Sequence, residues 1–341
     1  MGLHILNSHF QRESMIEKYE SYIWTERFSA YGDFQLIIQS NPTNRARFPK
    51  GTYLGLDGSM RVMRIKTVED TRDDEGKAVL KITGPSLEQV LEERIARGNW
   101  STLEAIPKWI LTGTPAGIAR KIFMDICASG VLDPRDTIPL LQPGSFLPPD
   151  TLPEPDVIVS MELEIASVYA VLKEICDAWD LGFRLIKKGD DQELYFNIYS
   201  GNDRTASQTG AAPVVFAENL DNLSNITSLQ SDVGYKNVAY VFCDIATAVV
   251  YSPEAPSNVS GFDRNVLLVK VDDIGDLTAG PALQAFLIKR GQEELAKARK
   301  TAAFDGQISQ NGKYKYNEHY TLGDMVEMRN SDGAKKLLRV S

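Results

Sequence analysis

The sequence contains few of the residues that most often carry chemistry. Only three cysteines and three histidines occur in 341 residues. Cys127, Cys176 and Cys243 stand far apart in apolar segments, without CxxC or paired Cys/His spacing, which argues against a disulfide framework or a zinc site. Each is expected to be a free, buried thiol that packs as a small hydrophobe. The sequence therefore predicts neither a metal site nor a cofactor.

Long apolar runs and an excess of basic residues are also lacking. No window approaches the roughly 18 uninterrupted apolar residues of a membrane-spanning helix, and the start MGLHILNSHF lacks the pattern of a signal peptide. The net charge is −9, which argues against a surface that grips nucleic acid or an anionic membrane. We expect a protein without a membrane segment, made in a reducing cytoplasm.

Catalytic patterns are missing as well. No GxSxG, HExxH, Walker A or GxGxxG pattern occurs. The run LTGTPAGIA (111–119) places two glycines before a helix, but it lacks the lysine and the preceding strand of a phosphate loop. It therefore predicts a turn followed by the start of a helix. His4, His9 and His319 have no metal-ligand spacing, so no catalytic residue is predicted from them.

Acidic pairs are the remaining candidates for acid/base chemistry. Asp73/Asp74 and Asp190/Asp191 fall in hairpin turns, where aspartate stabilises the turn itself. VDDIGD (271–276) lacks the ligand spacing and the closing glutamate of an EF-hand. A solvated loop is the expected setting of all three, and we expect the protein not to be an enzyme.

What is present is the composition of a folded protein large enough for two or more domains, with 43% hydrophobic residues. Residues 1–97 are mostly β by alternation. YIWTERF and FQLIIQ form a hairpin in which Gly32 supplies a conformation that other residues resist. MRVMRIKTVE is expected to be one strand after an Asp57-Gly58 turn, and PSLEQVLEERIA to be a helix that begins at Pro85.

The rest of the chain alternates between helical and strand patterns. In 98–160, NWSTLEAIPKWIL and PAGIARKIFMDICASG predict helices, followed by a connector with seven prolines. In 161–213, a helix closed by Gly182 leads into the hairpin FRLIKK–QELYFNIY. In 214–341, strands surround one long helix, 281–300, whose interior Gly291 indicates close packing. The predicted fold class is α+β, with a helical and an α+β insertion between two strand-rich regions.

Two hairpins at opposite ends of the chain share an order of elements. TYLGL–DG–MRVMRIKTV and YTLGDMVEM–NSDG–KKLLRV each contain a short apolar strand, a turn with Asp-Gly and a basic, apolar strand. The similarity indicates a weak internal repeat, although two hairpins also look alike by chance.

One pattern, YxxxIWxERFxxxGDFxLxI, resembles the hub proteins of siphophage tails. The matching residues are Tyr19, Trp24, Glu26, Arg27, Phe28, Gly32, Asp33, Phe34, Leu36 and Ile38. Further segments resemble the family in the same order: KITGPSLEQVLEERI, NLSNITSLQSDVGYKNVAYVF, LIKRGQEELAKARKTAAFDGQI and the Leu-Gly-Asp-x-Val strand of YTLGDMVEM. Residues 98–213 match less clearly.

The resemblance implies a structural role at the virion tail tip, after synthesis in the bacterial host. It implies two tube-type antiparallel β-barrels, 1–97 and 214–341, and a homotrimer that adapts the hexameric tail tube to threefold tip components. Implied partners are a distal tail or tube ring above, a tip, fibre or spike protein below, the tape-measure protein in the lumen, and DNA that passes without specific binding. Structural or interface candidates are Trp24, Arg27, Phe28, Tyr31, Asp33, Phe34, Gly323 and Asp324. Core packing is expected for Trp24 and Phe34, and an interface role for Tyr31.

Two alternatives stay open at this point. A tip-associated cell-wall hydrolase would need a converging acid/base pair, for which Asp190 and Asp191 are the candidates. A hub of a contractile injection machine would share the barrel pair. Family members usually continue beyond the last hairpin to a final strand, so the second barrel of this chain is expected to lack one strand. Either a neighbouring chain or partner completes the barrel, or the sequence is a shortened form.

Overall fold

The computed structural model describes residues 2–72, 75–98, 109–128, 133–141, 158–163, 165–187, 193–253, 255, 258–272, 274–275, 277–298, 301–308, 312–329 and 335–341. The chain divides into two compact units. The first contains 1–217 together with 313–341, and the second contains 218–312. The second unit is thus an insertion, because the chain leaves the first unit and later returns to it.

The elements of the first unit begin with β1 (Leu3–Leu6), β2 (Arg12–Ile16), β3 (Ser21–Thr25), β4 (Asp33–Gln39), α1 (Pro42–Arg47), β5 (Tyr53–Leu56), β6 (Val62–Arg64), β7 (Thr67–Arg72), β8 (Ala78–Pro85) and β9 (Ile95–Ala96). They continue with β10 (Trp109–Gly113), α2 (Pro115–Phe123), β11 (Val159–Leu163), β12 (Ala166–Ser167), α3 (Val168–Ala178), β13 (Gly182–Lys187), β14 (Leu194–Tyr199) and β15 (Val215–Ala217).

The second unit contains β16 (Leu223–Ser231), β17 (Val238–Cys243), β18 (Ala246–Tyr251), β19 (Val266–Lys270), α4 (Pro281–Lys297) and β20 (Thr301–Ile308). Back in the first unit, the chain ends with β21 (Met325–Arg329) and β22 (Lys335–Arg339). The architecture is mixed, mostly sheet with few helices, which agrees with the predicted α+β class at that level.

Two four-stranded antiparallel sheets enclose the core at the start of the first unit. Their strand orders are β2-β1-β5-β6 and β3-β4-β8-β7. The predicted alternation in β4 is confirmed, because Phe34, Leu36 and Ile38 are each no more than 3% exposed. They share one cluster with Leu3 and Leu54 of the other sheet. Period-two burial on both sheets therefore places a single apolar core between them.

The chain between β6 and β7 passes from one sheet to the other, so the single strand predicted over MRVMRIKTVE is wrong. β6 pairs with β5, whereas β7 pairs with β8. The passage lies directly on β8, where a Cβ at Gly84 would be 1.9 Å from the backbone oxygen of Arg64. Lys66 N then donates to Thr83 O at 3.0 Å. A glycine in β8 thus permits the crossing.

The middle of the first unit packs two helices against the β13–β14 hairpin. Thr114 accepts from Gly117 N at 3.1 Å and caps α2, which confirms the predicted helix start. The turn predicted before it is wrong, because 111–113 belong to β10. The rings of Phe123 and Phe196 stack with centroids 3.6 Å apart. The β13–β14 hairpin, predicted from FRLIKK–QELYFNIY, is confirmed. One apolar cluster joins these elements to Leu6 and the 3₁₀ helix Leu87–Glu93.

Three helix predictions in this region need correction. Pro85 ends β8, and the expected helix is a 3₁₀ helix with Ser86 at its N-cap. Trp109–Gly113 is a strand paired with β11, while 99–108 of the predicted helix lie outside the described residues. α3 ends before Gly182, because Asp180 takes the left-handed conformation with φ +55°. Short apolar runs do not distinguish strand from helix, which explains the second error.

The second unit has its own core between α4 and the three-stranded sheet β18-β17-β19. Leu283, Leu287 and Leu295 of α4 are buried. The close packing predicted at Gly291 is confirmed, since a Cβ there would lie 2.7 Å from Val250 Cγ2. The sequence analysis did not predict β18, the edge strand. β16 pairs with β20 in a separate two-stranded sheet.

The C-terminal hairpin β21–β22 belongs to the same compact unit as residues 1–217, and not to the unit of residues 218–312. The reason is that β21 pairs in parallel with β15, giving the sheet order β15-β21-β22. The boundaries of the two units therefore differ from the 214–341 segment drawn from the sequence. None of the helices in the described part of the chain is long and apolar enough to cross a membrane.

The crossing over Gly84 gives a testable prediction. Gly84→Ala is expected to lower the free energy of unfolding by about 2 kcal/mol or more, because two backbone segments must separate to admit a methyl group. Urea denaturation of the purified protein measures this value. Gly113→Ala is the matched control, since the nearest atom to its Cβ would be Ile118 Cγ1 at 3.8 Å. Equal stability of both variants would contradict the crossing.

Candidate functional site

The hairpin β3–β4 carries most of the residues singled out in the sequence. Trp24 lies opposite Phe34 in the register, with ring centroids 6.4 Å apart. Phe34 is buried in the first core and Trp24 packs against that core. Trp24 Nε1 donates to Glu26 Oε1 at 3.1 Å. Both aromatic residues thus pack the hairpin against the core between the two N-terminal sheets.

An ion pair and a close backbone contact hold the turn of the hairpin. Arg27 Nη1 lies 2.5 Å from Asp33 Oδ2 and donates to the backbone oxygen of Tyr31 at 3.1 Å. Gly32 does not have a positive φ, so the conformational reason predicted for it is wrong. Its role is spatial, because a Cβ there would lie 2.2 Å from Thr25 O.

Tyr31, the interface candidate, packs within its own chain. Its ring centroid lies 5.0 Å from that of Tyr169, and part of the side chain is exposed. Burial, together with the charge and hydrogen bond of Glu92, raises the pKa of the Tyr31 hydroxyl above its ordinary value. An interface role for Tyr31 stays a prediction.

Phe28 is the residue that joins this hairpin to the rest of the first unit. Its ring is 5% exposed and meets the Tyr199 ring edge to face at 5.2 Å. The guanidinium of Arg339 lies 5.3 Å from the ring centroid. A Cβ at Gly182 would lie 2.5 Å from Phe28 Cδ2, and one at Gly323 would lie 2.5 Å from Phe28 Cε2. Three distant segments therefore converge on one ring.

The Leu-Gly-Asp-x-Val segment forms the C-terminal side of this junction. Gly323 has φ +92°, and a Cβ at Gly201 would lie 1.8 Å from Gly323 C. Asp324 is fully buried. Its carboxylate accepts from Asn202 N at 2.7 Å, Arg204 Nε at 2.7 Å and Thr321 N at 2.9 Å. The aspartate thus organises three donors on two chain segments.

The structure therefore brings the two recognised patterns together. Glycine and aspartate of Leu-Gly-Asp-x-Val lie against Phe28 and its neighbours, although the patterns stand at opposite ends of the sequence. Phe28, a candidate for the core or an interface, is buried at this junction. Gly182 and Gly201 were not candidates, because a glycine in a sequence does not reveal which backbone approaches it.

A second contact ties the C-terminal segment to the turns of the hairpins β3–β4 and β5–β6. Tyr316 Oη donates to Glu26 Oε2 at 3.3 Å, and Asn317 Nδ2 donates to Gly58 O at 2.9 Å. Burial and the charge of Glu26 raise the pKa of Tyr316 well above its ordinary value. The neutral phenol is thus the form that holds this contact.

A buried ion pair lies close to the junction. Arg61 and Glu88 are at most 2% exposed and pair with each other. Arg61 Nη2 also donates to Arg27 O at 2.8 Å, and Glu88 Oε1 accepts from Leu185 N at 2.9 Å. Because each charge also binds backbone, the pair links the N-terminal sheets to β13.

The ionisable groups in the described residues are arranged for packing. Burial raises the pKa values of Cys127 and Cys176 to about 12, which leaves neither thiol ionised near neutrality. In the described part of the chain, no three His, Cys, Asp or Glu side chains are grouped to hold a metal ion. Asp190 and Asp191, the hydrolase candidates, lie outside the described residues, as do Asp73 and Asp74.

The buried carboxylate at the junction gives a second prediction. Asp324→Asn places an amide nitrogen against backbone and guanidinium donors, so we expect the free energy of unfolding to fall by about 2–4 kcal/mol. Asp272→Asn is the control, because Asp272 is exposed and forms an ion pair with the exposed Lys270 at 2.7 Å; its effect should stay within about 0.5 kcal/mol. Thermal or urea unfolding separates the two. Similar losses of unfolding free energy in the two variants would contradict an organising role for Asp324.

Comparison with known proteins identifies this architecture. No curated protein sequence matches the chain. The tail protein from Neisseria meningitidis MC58 has a similar fold, with TM-score 0.55 and 14% identity over 99% of this chain and 89% of that one. The 43 kDa tail protein of prophage MuSo2 from Shewanella oneidensis is similar over 99% of this chain and 91% of that one, with TM-score 0.53 and 13% identity. At such identities these likenesses concern the fold.

The sequence profile of a phage family provides the identification. It covers residues 2–341, and it confirms the resemblance to siphophage tail proteins that the hairpin and Leu-Gly-Asp-x-Val patterns indicated. The chain therefore belongs to the family of Siphovirus ReqiPepy6 Gp37-like proteins, and its fold is similar to that of phage tail proteins.

Proposed function

We propose that this protein is the trimeric hub of a siphophage tail tip. Each chain contains two compact, strand-rich units with separate cores, so three chains present six such units. That number fits a hexameric tube ring above, while the threefold arrangement fits a tip, fibre or spike protein below. The observation that carries the proposal is this pair of units within one chain of a tail protein family.

The sheets of each unit form the tube-type barrels of this hub. In the first unit, the sheets β2-β1-β5-β6 and β3-β4-β8-β7 enclose one core. In the second, β18-β17-β19 and β16-β20 accompany α4. The barrels surround a lumen that holds the tape-measure protein before ejection and DNA during it.

The role is structural and not enzymatic. The charged residues of the two patterns bind within the chain: Arg27 pairs with Asp33, and Asp324 binds Arg204. These contacts stabilise a frame and leave the same groups unsuited to proton transfer. A stable frame holds the surfaces that assemble in a fixed shape. Obligate interfaces bury about 2,000–5,000 Å² between such complementary surfaces.

Light scattering on the purified protein tests the oligomer. We expect a mass three times that of the 37.9 kDa chain, independent of dilution over the micromolar range, and binding to a purified tail-tube or distal tail ring. A monomer that also fails to bind the ring would overturn the hub. A monomer that trimerises only on the ring would retain it, with the ring as template for assembly.

The net charge of −9 gives a separate prediction about the lumen. A mobility-shift assay with linear double-stranded DNA at low ionic strength is expected to show no complex, because like charges are least screened there. A complex that dissociates steeply with salt would indicate a basic lumen and would contradict passage without binding.

A further inference from the structure

The turn between β18 and β19 exposes an aromatic side chain completely. Phe262 lies on the single 3₁₀ turn Gly261–Asp263, and its relative exposure is 107%. Phenylalanine is among the residues most often buried, since its ring gains about 1.5–3 kcal/mol by leaving water. A fully exposed ring at the tip of a turn therefore points to a surface that becomes covered.

Hydrogen bonds hold this turn, residues 259–264, in one conformation. Arg264 N donates to Gly261 O at 3.3 Å, and Asn237 Nδ2 donates to Asp263 O at 2.7 Å. Arg264 Nη2 donates to Tyr240 Oη at 3.1 Å, so its guanidinium is fixed over the sheet. The ring of Phe262 is thus presented by a pre-organised backbone, which reduces the entropy lost when a partner covers it.

The sheet beside the turn has an apolar outer face. Tyr240 lies directly opposite Val249 on one side and Leu268 on the other. The exposed apolar residues of the outer face are Tyr240, Val249, Tyr251, Val266 and Leu268, each 37–70% exposed, and this face also carries Phe242, Thr247 and Lys270. Its other side is covered by α4. Exposed apolar residues that are grouped on one surface often mark an interaction site.

The first unit contains a partly apolar pocket that is large enough for an aromatic ring. It has a volume of about 280 Å³, and its apolar lining comes from Leu6, Leu56, Met60 and Val62. A benzene ring occupies a cavity of about 150 Å³ in a protein interior, so a phenylalanine ring has sufficient room.

The charges around the two surfaces are complementary. Arg12 and Lys187 border the pocket, and the side chain of Arg12 is 55% exposed beside Asp57. Asp263, next to Phe262, is exposed as well. A ring inserted into the pocket would carry this carboxylate to a rim formed by Lys187 and by Arg12, which pairs with Asp57 at 3.0 Å, and these two cations would oppose a basic partner.

We propose that Phe262 of one copy inserts into the pocket of the first unit of a neighbouring copy, with Asp263 beside Arg12. The inference rests on the proposed self-association and names its contact. Phe262 belongs to the second unit and the pocket to the first, so two different surfaces meet in this contact, which is the head-to-tail kind that builds rings when its rotation closes. The outer face adds area, because one inserted ring is far below the ~800 Å² per partner of a stable interface.

Mixing two variants tests this head-to-tail contact. Phe262→Ser removes the knob, and Met60→Trp fills the pocket at a partly exposed position. Light scattering should give a monomer for each variant alone, one third of the wild-type mass. An equimolar mixture should give a dimer and no trimer, because only one intact knob meets one intact pocket. Val233→Ser, at another exposed apolar residue of the second unit, should remain trimeric.

A charge exchange in one chain tests the pairing of residues. Asp263→Arg should dissociate the trimer, and the double variant Asp263→Arg/Arg12→Asp should restore it. Circular dichroism melting curves verify that each variant is folded. A trimer that persists in folded Phe262→Ser, or a mixture that stays monomeric, would overturn this contact while leaving the hub intact. A wild-type protein that never self-associates would instead overturn the proposed trimer itself.

Discussion

The ring of Phe28 occupies a space that exists because Gly182 and Gly323 have no Cβ. A methyl group on either glycine would overlap the ring at 2.5 Å, and neither neighbour can retreat, since Gly323 is itself in contact with Gly201. The first unit thus depends on a close approach of three backbone segments around one aromatic side chain. Dense packing of this kind transmits any change in one segment to the others.

This junction determines the topology of the molecule. Because Phe28 and the Asp324 carboxylate hold the C-terminal hairpin beside β15, the chain must return to its first unit after 218–312. The inserted unit is therefore attached by two connections and folds around its own core. A load applied to the inserted unit reaches the first unit through both connections.

The sequence revealed the local features and missed the long-range ones. Alternation in β4, the start of α2 and close packing at Gly291 depend on residues near one another in the chain, so pattern alone predicted them. The contact of Phe28 with Gly323, and the crossing of Arg64 over Gly84, join segments that no local pattern relates. The resemblance to a family indicated that the hairpin pattern and the Leu-Gly-Asp-x-Val pattern are important. It did not indicate that the two patterns lie in contact in the fold.

The two kinds of unusual residue in this protein have opposite physical signatures. Arg61, Glu88 and Asp324 are charged and buried, and each binds backbone as well as a countercharge, so removal from water is balanced within the chain. Phe262 is apolar and exposed, and nothing in its turn shields it, although hydrogen bonds fix that turn. Internal compensation accounts for Arg61, for Asp324 and for Oε1 of Glu88, whose Oε2 is buried without a hydrogen-bond partner. It leaves the exposed ring unexplained, and a compensating surface for it must therefore be sought on another molecule.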